Sequence, residues 1–96
     1  MRIDTPVQES SVGLRVRPGT SVTAVLATAE VLAWRLAEYG PGRCEAELAR
    51  FVEAAQRLGA DPLLGSVVLD RNAPAVTRQR AFGALHRQVA RRAIEA

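Results

Sequence analysis

"VTAVLATAEVLAWRLAEY" (residues 22–39) is the stretch whose reading decides the fold. At about 100° per residue, Val22, Val25, Ala29, Leu32, Leu36 and Tyr39 line one side of a helix, with Leu26 and Ala33 beside them. Ala27, Val31 and Trp34 fall on nearly the opposite side, and only Glu30, Arg35 and Glu38 supply charge. Thr20 or Ser21 offers an N-cap, and Gly40-Pro41-Gly42 stops the helix after Tyr39. A helix apolar on two sides is either central in its domain or shared with a partner.

Three further helices are predicted downstream. The second, from Arg43 to Leu58, carries the stripe Cys44, Leu48, Phe51, Val52, Ala55 and Leu58, with Arg50, Glu53 and Arg57 opposite. Glu53 and Arg57 have the spacing of a helical ion pair, and Gly59 suits the left-handed residue that ends a helix. Asp61-Pro62 reads as N-cap and first turn of a short third helix, "LLGSVVLD". "RNAP" repeats that arrangement, with Asn72 or Ala73 as cap and Pro74 in the first turn of a fourth helix reaching Ile94. On it Phe82, Leu85, Val89 and Ala93 form the buried stripe, extended by Ala90 toward Ile94, with Arg78 and Arg92 flanking it. The expected fold class is therefore all-α: a compact four-helix domain over residues 20–96, one helix short.

Upstream, residues 1–19 read as a polar arm. Within "VGLRVRPG", Val12, Leu14 and Val16 alternate with Gly13, Arg15 and Arg17, a short half-buried strand over 12–17 ended by Pro18-Gly19. A lone strand needs company, either the helices beneath it or the same strand of another subunit. The start of the chain has no apolar core of the kind a signal peptide needs, and residues 22–37 are too short and too charged to span a bilayer. No membrane association and a cytoplasmic location are the expectations.

Composition fits one soluble domain, since 48% of the 96 residues are hydrophobic and 24% charged. Aromatics are limited to Trp34, Tyr39, Phe51 and Phe82, which leaves the core to Leu, Val and Ala. Every basic residue is Arg, a bias that with so much Ala fits a GC-rich coding sequence of bacterial type. The net charge of +3 is unevenly spread. Residues 1–70 hold seven Arg against nine carboxylates, whereas residues 71–96 hold six Arg against Glu95 alone. An electrostatic partner would meet the C-terminal quarter. There Arg80, Arg87 and Arg91 share one back of the fourth helix. That back can be simply solvated, can dock an acidic protein or another subunit, or can contact phosphates. No aromatics are interleaved with it, and Gln79 and Gln88 stand alone, so base readout is unsupported.

Two DNA-binding patterns bear comparison. Residues 51–70 resemble a helix-turn-helix in placing Ala55 four residues before Gly59. The second helix of that unit is almost wholly apolar and carries Gly65 at a core position, so packing accounts for it better than base reading. The order of "GLRVRPGTSV", a long helix, a turn and "GRCEAELARFVEAA" is similar to that of ribbon-helix-helix DNA-binding proteins. That resemblance implies a dimer with paired N-terminal strands, Arg15 and Arg17 facing the major groove, and Val12, Leu14 and Val16 facing the dimer core. The first helix is longer than in that family, and Gly42-Arg43-Cys44 lacks its usual Ser or Thr cap.

Chemistry has little to work with. One His and one Cys preclude a metal site built on those ligands, no phosphate- or dinucleotide-binding loop occurs, and no cofactor is expected. A lone cysteine forms no internal disulfide. Cys44 and His86 would form a nucleophilic pair only if the second and fourth helices brought them together. The reading that results is a non-enzymatic protein–protein interaction or assembly module, self-associating through Ala27, Val31 and Trp34 or through Val12, Leu14 and Val16. The alternative is a small nucleic-acid-binding regulator acting through Arg80, Arg87 and Arg91, or through Arg15 and Arg17.

Overall fold

The structure, a computed structural model, describes residues 21–95. The polar arm and the strand expected over residues 12–17 lie outside the described residues, and with them Val12, Leu14, Val16, Arg15 and Arg17. Four α-helices follow in order: α1 (Val22–Tyr39), α2 (Glu45–Arg57), α3 (Pro62–Leu69) and α4 (Ala75–Glu95), with a single 3-10 turn at Pro41–Arg43 between the first two. Each helix packs on the next, and α4 closes the ring by packing along α1. The fold is all-α, a compact four-helix domain with one short helix.

Local chemistry sets most of the boundaries. The Ser21 Oγ accepts from the Ala24 backbone N–H at 3.0 Å, which satisfies one of the unpaired donors at the start of α1. Beyond α2, the Ala60 N–H reaches the Ala55 carbonyl at 3.0 Å and the Gly59 N–H reaches Gln56 at 2.9 Å. This crossed pair ends the helix around Gly59, whose φ of 89° suits only a residue without a side chain. The Asp61 carboxylate then accepts from the Leu63 N–H at 2.9 Å and starts α3, with Pro62 in its first turn.

Two boundaries differ from expectation. α2 starts at Glu45, because Pro41–Arg43 wind into the 3-10 turn and Cys44 takes a non-helical φ of −129°. α4 is capped by neither Asn72 nor Ala73. Asp70 holds both in a turn, its carboxylate accepting from the Asn72 N–H and its carbonyl from the Ala73 N–H. The helix begins at Ala75, with the Pro74 carbonyl accepting from the Arg78 N–H, so Pro74 stands just outside the helix.

The core is drawn from all four helices: Val25, Ala29, Leu32 and Leu36 of α1, Leu48, Phe51, Val52 and Ala55 of α2, Val68 of α3, and Ala81, Phe82, Leu85 and Val89 of α4. Small Ala29, Cys44 and Ala55 are fully buried among these larger side chains. The rings of Phe51 and Phe82 meet tilted, with centroids 5.1 Å apart. Two residues expected in buried stripes are exposed. Tyr39 and Ile94 occupy the last turns of α1 and α4, where no neighbouring helix covers them.

Candidate functional site

Among the described residues, α1 is met by the rest of the domain on one side only. The side carrying Val25, Ala29, Leu32 and Leu36 is buried, whereas Val31 and Trp34 on the far side are each 59% exposed, with Ala27 exposed beside them. These three residues lie within about two turns of one another on a common strip. At its end the Trp34 ring meets Tyr39 edge to face, with centroids 6.1 Å apart and planes at 84°. That contact orders the indole at the surface without covering it. Exposed Glu30 and Glu38 border the strip. Arg35 turns toward α2 and faces Glu47 at 3.4 Å, so the outward charge of α1 is acidic.

Beside this strip, a groove of about 250 Å³ runs between α1 and α4. Ala33, Leu36 and Ala37 form one wall, Phe82 and Gly83 the other, with Gln79 and His86 at its margins. The Gln79 amide Nε2 donates to the Leu36 carbonyl at 3.1 Å, which sets the C-terminal end of α1 against the N-terminal end of α4. His86 borders this groove while Cys44 is fully buried, and among the described residues no hydrogen bond joins them. The nucleophilic pair is not assembled.

On α4, Arg80, Arg87 and Arg91 are all exposed. Both glutamines of the helix are occupied by backbone groups: Gln79 by the Leu36 carbonyl, and Gln88 by the Asp61 N–H at 3.0 Å. A second depression, about 490 Å³ in volume, lies where the α2–α3 junction meets the end of α4. Arg91 and Arg92 line it together with Asp61 and Glu95, so it presents both signs of charge and selects neither.

The arginine that matters most to the architecture is Arg78. Expected at the edge of the stripe, it is only 4% exposed. Its Nη1 and Nη2 donate to the two Glu45 oxygens at 2.9 and 2.6 Å, and its Nε donates to the Val68 carbonyl at 2.8 Å. One guanidinium thus holds the start of α2, the end of α3 and the first turns of α4. The Arg78 hydrogen bonds keep the Glu45 carboxyl below the usual carboxylate range, outweighing the opposing effect of burial. Arg71, 3.9 Å from Glu45, adds to the same effect. Arg78 and Glu45 spend their polar groups on each other and on the Val68 carbonyl, which makes the pair a structural staple. The chain carries only a partial signal of this: Arg78 lies one and two turns before Phe82 and Leu85, at the edge of the buried stripe.

Among the described residues, no group of three or more His, Cys, Asp and Glu could hold a metal ion, and no helix is long and apolar enough to cross a membrane. Set beside known proteins, the chain is matched by no family model, no curated protein and no solved structure.

Proposed function

We propose that this chain is a non-enzymatic protein–protein interaction module that self-associates through the outward side of α1. The observation that carries the reading is the exposure of Val31 and Trp34, 59% each, on a helix whose other side is already spent on the core. A large indole and a β-branched aliphatic side by side in water are costly to leave uncovered, and Trp is a frequent anchor at protein interfaces. The acidic border of Glu30 and Glu38 supplies the polar rim such an interface needs. The nucleic-acid alternative has exposed arginines in its favour, but Gln79 spends its amide nitrogen and Gln88 its amide oxygen on backbone groups, so neither offers the paired donor and acceptor with which an amide reads a base.

Sedimentation velocity of the full chain from low micromolar to several hundred micromolar tests the proposal. The expected mass exceeds the 10.3 kDa of one chain and returns toward it in Trp34→Ser, a change at an exposed site that leaves helicity intact. A wild-type protein that stays monomeric throughout refutes the reading. A monomer whose Trp34 emission shifts to the red on removal of residues 1–18 would place the chain's own arm on this strip instead.

A further inference from the structure

Gly83 sits in the interior of α4, where glycine weakens a helix relative to alanine. Nothing among the described residues requires it. Its backbone is ordinary helix, and a Cβ placed there would meet only the Arg87 Nη1 at 3.6 Å, a normal contact. The consequence of the missing side chain is external: with Ala33 and Ala37 opposite, it leaves the groove between α1 and α4 open to the surface. Trp34 neighbours Ala37 of the groove wall on the surface of α1, three residues along the helix, and does not itself line that groove. An exposed knob and an open apolar hole therefore lie side by side on one face, unable to serve each other within one chain.

A two-fold axis running along the groove resolves this. It lays α1 of one copy over α4 of the other and brings each Trp34 above the opposite groove, a self-complementary arrangement in which each contact occurs twice. Charge follows the same operation. The outward side of α1 bears Glu30 and Glu38, about two turns apart, and that of α4 bears Arg80 and Arg87, again about two turns apart. Because Gln79 is bonded to the Leu36 carbonyl, Glu38 falls near the level of Arg80, and Glu30 lies toward Arg87.

We infer that a second copy of this chain docks with its Trp34 in the Ala33–Ala37–Gly83 groove, and that Glu30 and Glu38 of each copy face Arg87 and Arg80 of the other. This rests on the self-association reading above and adds the groove, the symmetry and the charge register. Alternate use of α1 against α1 alone would bring Glu30 and Glu38 of both copies together, a repulsive arrangement.

Three variants of the full chain, set beside Trp34→Ser, test it by native mass spectrometry and sedimentation. Gly83→Leu fills the hole from within and improves helix propensity, so the dimer should weaken by roughly 30-fold or more while thermal stability holds or rises. Glu30→Arg/Glu38→Arg and Arg80→Glu/Arg87→Glu should each be monomeric alone, and mixing the two should restore a heterodimer. If Trp34→Ser dissociates the dimer while Gly83→Leu and both charge reversals leave it at wild-type strength, the groove pairing is overturned and self-association through α1 survives. A monomeric wild type overturns both.

Discussion

Replacing Arg78 by Met should be among the most damaging single changes available to this domain. The methionine fills a similar volume but leaves two groups without their partner. The Val68 carbonyl belongs to the last turn of α3, where no intrahelical donor reaches it, and Val68 is 1% exposed. An unmet buried acceptor costs about 1–3 kcal/mol. The Glu45 carboxylate loses both charge-assisted bonds, but its side chain is 20% exposed and water recovers part of that loss. Removing one member of a buried ion pair costs ~3–5 kcal/mol, and the partial exposure of Glu45 argues for the lower end, about 3 kcal/mol. For a domain of this size that corresponds to a fall in Tm of roughly 12–24 °C. Urea and thermal unfolding followed at 222 nm measure it, with Arg50→Met at an exposed position of α2 as control. The control should stay within about 0.5 kcal/mol of wild type. A loss below about 1 kcal/mol for Arg78→Met, or one indistinguishable from the control, would refute the staple. The double variant Arg78→Met/Glu45→Leu should lose less than the sum of its single changes, because an apolar pair strands no charge.

Other outcomes follow from the same geometry. Arg78 lowers the folded-state pKa of Glu45, so the stabilisation is fully present above the ordinary glutamate value of about 4.3 and disappears as pH falls through the lowered one. The wild type should therefore lose stability more steeply than Glu45→Gln below about pH 4.3 in a pH series of urea melts. Gly59→Ala should cost about 1–3 kcal/mol, since φ is 89° there, a strain that remains after the exposed Arg92 guanidinium above it swings aside. Gly42→Ala, with nothing within 4 Å and an ordinary φ, should be close to neutral in the same melts. Ser21→Ala should cost about 1 kcal/mol and speed amide exchange in the first turn of α1.

The candidate surface was half legible in the chain. Periodicity alone placed Ala27, Val31 and Trp34 opposite Val25, Ala29, Leu32 and Leu36, but two apolar sides of one helix look equivalent until something packs on one of them. The groove was not legible, because its two walls come from residues more than forty apart in sequence, and Gly83 acquires meaning only when Ala33 and Ala37 stand across from it. Arg78 was misplaced for a related reason. Beside a stripe, a charge is expected to reach water. Only the presence of Glu45 and the Val68 carbonyl at the same point lets it stay buried.

The ends of the helices were written locally. Ser21, Gly40, Gly59 and Asp61-Pro62 act through backbone dihedrals and through hydrogen bonds spanning two to five residues, and such interactions need no fold to exist. Where that locality failed, at Cys44 and Pro74, the departure was a turn or less. Which side of α1 is covered, which arginine is buried and where a cavity opens were decided by tertiary packing alone. Each depends on groups distant in sequence meeting in space, and the free energy of such a meeting resides in desolvation and contact that no single segment contains.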